Sequence, residues 1–434
     1  VASVVDSQFG TPHDLVAWRR LPVEFGEITG KVVSCAEEED GSTFRITVEF
    51  DLEEGTAVPD IVAQGIEFTS GEYKQGAIKT ELAKNEKVGL VGIHVAAYDA
   101  ENSLLTLAQK MSPPPSEGDT FAVVGSGLQA GRHLYARHCL HCHGVSGDGN
   151  GPTAKYLNPL PRDYRLGKFK FVSVVAADKA TREDLTRIIK HGVPGTYMPS
   201  FMLMDDDEVA HIVEYVRWLA MRGELERAYF GEFVNFTNDA VKARLESAES
   251  KSKAKDEIAQ DLQEEISFLA LDSIYKRILR PWDRAEQEDR PIFPKMARIE
   301  DSVESRIRGR KVFIDNKCNN CHGDAGRGNG PMTESYNPRT DGKGNYDKPG
   351  LFDDWGAPVR PRDLTTGIFR GGRRPLDIFR RIRAGISGTP MPAADSKVTD
   401  EQIWDLVNYI YSIPFEKRGE SAEEPKHHVA AKAR

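Results

Sequence analysis

Cysteine, long apolar runs and surplus positive charge are all scarce in this chain. Only five cysteines occur in 434 residues. Four of them fall in two short clusters, which leaves Cys35 unable to form an internal disulfide; it reads as a buried, inert thiol in a strand. No apolar stretch approaches the ~18 residues that a transmembrane helix needs. Lysine and arginine total 58 against 67 aspartates and glutamates, a formal net charge of -9, which argues against nucleic acid as a partner. The length exceeds a single hydrophobic core, and ordinary domain sizes predict about three domains.

What the sequence does contain is a duplicated motif. Cys139-Leu140-His141-Cys142-His143 recurs as Cys318-Asn319-Asn320-Cys321-His322. C-x-x-C alone also suits half a zinc site or a thioredoxin-like redox pair, but neither requires the following histidine. C-x-x-C-H is the attachment signature of c-type haem: two thiols form thioethers to the porphyrin, and the adjacent imidazole reaches the iron. Two copies predict two covalent haems.

The duplication extends well beyond the motif, which marks a repeat. Glycines fall in the same places in Gly144 to Pro152 and Gly323 to Pro331. Pro161-Arg162-Asp163 matches Pro361-Arg362-Asp363, and Gly195-Thr196-Tyr197-Met198-Pro199 matches Gly388-Thr389-Pro390-Met391-Pro392. Each repeat therefore offers one histidine and one methionine.

Each repeat resembles a class I c-type cytochrome, a small helical domain around one haem. The resemblance rests further on Gly131 and Tyr135 before the first motif with Tyr215 on a later helix, and on Gly309, Phe313 and Tyr409 in the second repeat. One extra residue separates Phe313 from Cys318 and reads as a small bulge. The resemblance covers residues 125 to 225 and 303 to 415. It implies Cys139, Cys142, Cys318 and Cys321 as haem-binding residues, His143 and His322 as proximal iron ligands, and the carbonyls of Pro152 and Pro331 as acceptors for the imidazole N–H. It also implies haem attachment outside the cytoplasmic membrane. The chain, beginning at Val1 without an initiator methionine, reads as a mature or trimmed exported protein, with a signal peptide or anchor removed.

Met198 and Met391 are the expected distal ligands. Met202 and Met204 compete for the first site, but only Met198 shares its context with the other repeat. His191 is the weaker alternative, since its counterpart is Ala384. Arg162 and Arg362 suit haem propionates through the guanidinium fork, or simply form surface turns with the following aspartates.

The remaining chain divides by pattern. Residues 1–124 read as an antiparallel β domain, a small barrel or sandwich, in which Phe44 to Phe50 alternates with period two and pairs with Gly30 to Cys35. Val88 to Ala97 and Leu104 to Leu107 flank a hairpin turn, and Phe121 to Val124 supplies one more strand. Trp18 is the apolar anchor of the N-terminal segment, and His13 and His94 are too isolated for a copper site. Residues 226–302 read as a helical spacer, with an amphipathic helix from Lys253 to Ile278 and breaks at Pro281, Pro291 and Pro294. Pro331 to Pro361 spans thirty positions where Pro152 to Pro161 spans nine; the insertion, 332–360, suits a cover on the haem edge. Residues 416–434 read as a mobile tail, with His427 and His428 solvated.

The expectation is a periplasmic dihaem cytochrome that relays electrons and is not itself an enzyme. The β domain and spacer favour fixed redox protein partners, including a membrane respiratory or dehydrogenase complex. A dihaem peroxidase-like enzyme and a haem redox sensor with a β partner-binding domain are the competing readings.

Overall fold

The computed structural model describes residues 5, 10–13, 15, 21–37, 44–59, 61–62, 64–71, 93–108, 114–175, 178–268, 275–339 and 342–416. Trp18, the Asp40-Gly41 turn, Val88 to Gly92, Leu269 and the tail beyond Glu416 lie outside them. Two compact units are distinguished: Val1–Gly167 with Leu203–Asp283, and Lys168–Met202 with Arg284–Arg434.

The first unit opens with six antiparallel strands, β1 (Glu27–Glu37), β2 (Phe44–Phe50), β3 (Gly65–Phe68), β4 (Ile93–Asp99), β5 (Leu104–Leu107) and β6 (Thr120–Val124). They close into a barrel in the order β1-β2-β5-β4-β3-β6. Period-two alternation sends Val32, Ile46, Val48, Phe68, Val95, Leu105, Leu107 and Phe121 inward. Gly30 makes room for this core, because a Cβ there would stand 2.7 Å from the Phe121 ring. Cys35 lies partly buried on β1 and packs against the core. The β4–β5 turn is held by Asp99, whose carboxylate accepts from Glu101 N at 3.0 Å and Asn102 Nδ2 at 2.7 Å. A barrel leaves no open sheet edge.

The strand chain hands over directly to helix α1 (Ser126–His138), followed by the single-turn α2 (Leu140–His143). Gly127 N donates to Phe25 O at 2.7 Å, pinning the start of α1 to the segment before the barrel. Helix α3 (Arg182–His191) belongs to the second unit, and α4 (Asp206–Glu232) returns to the first. Helix α4 was expected over Val209 to Met221 with one apolar stripe, yet it runs past residue 225 and is buried on further faces. Val209, Ile212, Val213, Val216 and Leu219 are buried as the period predicts, but so are Glu214 and Arg217. The charged pair has neighbours no local pattern reveals: Glu214 Oε2 accepts from Glu24 N at 2.9 Å, Arg217 donates to Pro22 O at 2.9 Å, and its guanidinium lies over Trp282.

Two helices, α5 (Asn238–Ser247) and α6 (Lys251–Phe268), follow, with Ala254 and Ile258 buried on α6. Pro281 does not break the helix as expected. It lies inside α7 (Arg280–Ala285), directly after a π turn at Tyr275–Leu279 whose wider ladder precedes the donor that proline lacks. Trp282 on α7 is fully buried and donates Nε1–H to Glu224 at 2.9 Å. Among the described residues, no helix is long and apolar enough to cross a membrane.

The second unit carries α8 (Val303–Asp315), α9 (Asn319–His322), α10 (Pro375–Ala384) and α11 (Asp400–Ser412), with a two-stranded ribbon, β7 (Leu351–Phe352) and β8 (Pro358–Val359), in the insertion. Helix α3 begins with a capping box in which Thr181 Oγ1 accepts from Asp184 N at 3.0 Å, and α11 begins with the same device at Thr399 and Gln402. Within this unit α3 packs on α10 through buried charge. Arg187 on α3 donates to Asp377 on α10 at 2.7 Å and to Asp184 at 3.2 Å, while Arg374 makes three further bonds to Asp377, one of them from its backbone N–H. Both aspartates are almost fully buried.

Candidate haem sites

The two motif helices are entered the same way. Gly131 on α1 lies so close to α4 that a Cβ would collide with the carbonyl of His211, and Gly309 on α8 stands likewise against Asp405 on α11. Tyr135 then meets Tyr215 edge-on at 5.1 Å, and Phe313 meets Tyr409 at 5.6 Å. Glycine at the crossing is thus required by close approach, and the aromatic one turn later fills the space beyond it. The extra residue before Cys318 is absorbed at Lys317, which adopts φ 57° while Cys318 N still reaches Phe313 O at 2.9 Å.

After each motif the chain reverses over its own helix. Gly149 N donates to His143 O at 2.9 Å and Gly151 N to Cys142 O at 3.1 Å; Gly328 and Gly330 repeat this on His322 and Cys321 at 2.7 and 3.0 Å. Gly149, at φ +75°, lies against the Pro161–Asp163 backbone, where a Cβ would stand 2.7 Å from Pro161 O. That approach delivers a carbonyl to the imidazole. His143 Nδ1 donates to Arg162 O at 3.2 Å, and His322 Nδ1 donates to Arg362 O at 3.2 Å. The acceptors are therefore the arginine carbonyls, not those of Pro152 and Pro331. Pro152 stays in the glycine turn and Pro331 opens a 3-10 turn, because the glycine loop folds onto the motif helix and leaves the next segment to face the ring. The repeated aspartates cap the following turns: Asp163 accepts from Arg165 N at 2.9 Å and Asp363 from Thr365 N at 3.0 Å.

With a carbonyl as partner, Nδ1 must carry the proton, so Nε2 is the nitrogen with a free lone pair. Burial pushes His143 down to about 4 and lowers His322, keeping both rings neutral and able to ligate. Burial also raises the thiols, Cys139 to about 12 and Cys318 to about 11. All four motif cysteines lack a disulfide and are partly buried. Two neutral thiols and a buried imidazole with one free nitrogen are the donor set that a covalently held haem needs.

The methionine loops match bond for bond. Thr196 Oγ1 donates to Val193 O at 2.8 Å and accepts from Met198 N at 3.1 Å; Thr389 Oγ1 donates to Ile386 O at 2.8 Å and accepts from Met391 N at 3.3 Å. The loops close through Val193 N to Met198 O and Ile386 N to Met391 O, both 3.1 Å. The repeated threonine, passed over in the sequence, is the residue that shapes each loop. Met202 is half exposed, and His191, last residue of α3, is exposed.

Of the two candidate propionate arginines, Arg362 has its Nε tied to Ile368 O at 2.7 Å. Among the described residues it makes no ion pair. Near it sits Arg370, which sequence reasoning missed: its Nε is buried without a hydrogen-bond partner, and burial, reinforced by the charge of Arg362, lowers its pKa. A buried guanidinium nitrogen without an acceptor, beside a second cation, fits an anionic group such as a haem carboxylate. The corresponding residue of the first repeat is Lys170, and it pairs with Asp353 at 3.5 Å.

The insertion is built rather than loose. Tyr346 stacks on Phe352 with ring centroids 3.7 Å apart, Arg339 covers Tyr346, and Asn337 donates to Gly350 O at 2.7 Å. Asp353 and Asp354 pair with Lys170 and Lys168. Asp341 lies outside the described residues. Among the described residues no three His, Cys, Asp or Glu side chains gather as for a bare metal ion.

Residues 126–216 match the family described as cytochrome c oxidase, cbb3-type, subunit III, and residues 307–414 match the family described as cytochrome c. No curated protein matches. Among solved structures, a chain of the Kuenenia stuttgartiensis reducing HAO-like protein complex is similar, with 23% identity and a TM-score of 0.45, covering 66% of this chain and 96% of that one. The two matched segments coincide with the two motif-bearing repeats, and the chain accordingly carries two c-type cytochrome domains, a machinery for haem-based electron transfer.

Proposed function

We propose that the chain is an extracytoplasmic relay that holds two haems covalently and passes electrons one at a time between protein partners. Cys139 and Cys142, and Cys318 and Cys321, would hold the haems through thioethers; His143 and Met198, and His322 and Met391, would ligate the irons. The observation that carries this reading is the duplication of both half-sites: the same imidazole-to-carbonyl bond and the same threonine-buckled methionine loop occur twice. When bound, such a group supplies a one-electron couple whose potential is raised by thioether sulfur.

The protein's own part is orientation and exclusion. The Arg162 and Arg362 carbonyls fix the tautomer and increase the basicity of each imidazole. The threonine loops hold each methionine on a closed turn, and on this reading the chain relays electrons and is not itself a catalyst. The buried guanidinium of Arg370 would neutralise carboxylate charge at the second haem.

A diffusing carrier needs neither a six-stranded barrel nor the helical spacer of residues 226–302. Those additions, with the similarity of residues 126–216 to subunit III of cbb3-type cytochrome c oxidase, support a fixed place beside a larger respiratory or dehydrogenase complex. Haem content decides the reading. Acid-denatured, dialysed protein should retain two haems per chain by its haemochrome spectrum; one or none retained would overturn covalent attachment at both motifs.

A further inference from the structure

The two methionine loops share a backbone and differ in what covers them. Gly195 and Gly388 are equivalent in the repeat, and both adopt positive φ, 71° and 72°. Over Gly195 stand two residues of the second repeat: a Cβ placed there would lie 3.4 Å from Arg362 Nη2 and 3.3 Å from Ile368 Cγ2. Over Gly388 stands the indole of Trp355, 2.5 Å from the same position. Asp354 N donates to Gly388 O at 3.0 Å, and Asp353 shapes the turn by accepting from Trp355 N at 3.2 Å and Ala357 N at 3.0 Å.

Arg362 is therefore used twice. Its carbonyl accepts from His322 Nδ1, while its guanidinium, without an ion-pair partner among the described residues, faces the loop that carries Met198. Trp355 belongs to the insertion, for which the first repeat has no equivalent. One loop is covered by a cation and the other by a large apolar ring.

We propose that Arg362 and Trp355 make two otherwise equal sites unequal, Arg362 by raising the potential of the haem ligated by Met198 and Trp355 by locking the Met391 loop. The proposal rests on Met198 and Met391 being the distal ligands. Oxidation adds one positive charge at iron, so a fixed cation beside the loop disfavours the ferric state. An indole filling the space over Gly388 denies it to water and leaves the loop no room to swing away.

The test uses the full-length holoprotein, with optical redox titration and the sulfur-to-iron charge-transfer band read at each haem. M198A and M391A identify which band belongs to which haem. R362Q should lower the potential of the haem whose band M198A abolishes, by more than it moves the other, and R362K should restore it, since backbone and charge are both kept. W355A should make the Met391 band vanish at a lower temperature while the other band melts as before. An R362Q protein with neither potential moved, or both moved equally, would overturn the role of Arg362; unchanged melting of the Met391 band in W355A would overturn that of Trp355. If M198A leaves both bands intact, the ligand reading itself fails and the proposal falls with it.

Discussion

His143 Nδ1 donates to the carbonyl oxygen of Arg162 across 3.2 Å, and this bond depends on a glycine in the loop between them. Gly149 lets the Pro161–Asp163 backbone approach, at a positive φ of +75° that alanine resists. Gly149→Ala should therefore displace the carbonyl and destabilise the fold by about 1–3 kcal/mol. Because the lost bond also lowers imidazole basicity, the ferric state is less favoured and the potential of that haem should rise. Thermal melting and redox titration of the variant check both signs.

Met198→Ala and Met391→Ala should each remove the charge-transfer band of one haem, and Met202→Ala should remove neither. Reduced wild-type protein should not bind carbon monoxide at neutral pH, because both irons are expected to be six-coordinate. Rapid binding to one haem, with peroxide turnover lost in the matching loop variant, would favour the peroxidase-like reading instead.

Asp377 is buried between Arg187 and Arg374, and Asp377→Asn strands those cations. The expected cost is about 3 kcal/mol, read as a lower denaturant midpoint. Burial alone would raise this carboxyl, but the hydrogen bond from Arg374 and the charges of Arg187, Arg374 and Arg381 outweigh it and hold the pKa below the ordinary 3.8. Its contribution is thus full above pH 3.8, the unfolded value, and fades as the pH falls below it. The wild type should lose stability across that acid range more steeply than Asp377→Asn.

The barrel is closed and has its own core, so a fragment of residues 1–124 should fold alone with sheet-type circular dichroism. Phe121→Ala within it removes a ring that is 1% exposed and should cost about 3–5 kcal/mol. Stoichiometric copper or zinc in the fragment would contradict its expected lack of a metal.

The sequence by itself determined that the chain carries two c-type cytochrome domains, because their signature consists of residue types at fixed short spacing. Cys139 to His143 and Cys318 to His322 are legible without any fold, and repetition alone separates Met198 from Met202. It also determined the antiparallel β domain, since period-two alternation in Phe44 to Phe50 marks a half-buried strand, but barrel or sandwich was decided only by how the six strands close. Contacts between distant segments were decided only by tertiary structure. Nothing local distinguishes the carbonyl of Arg162 from that of Pro152 as the partner of His143; the choice follows from how the glycine loop folds back. Nothing in the pattern of α4 marks Arg217 as buried, because Pro22 and Trp282 supply its partners from elsewhere in the chain. Likewise Arg187 and Asp377, 190 positions apart, meet only after α3 has packed on α10. Short-range spacing is written in the order of residues, whereas a buried polar group is allowed only by partners that folding brings to it.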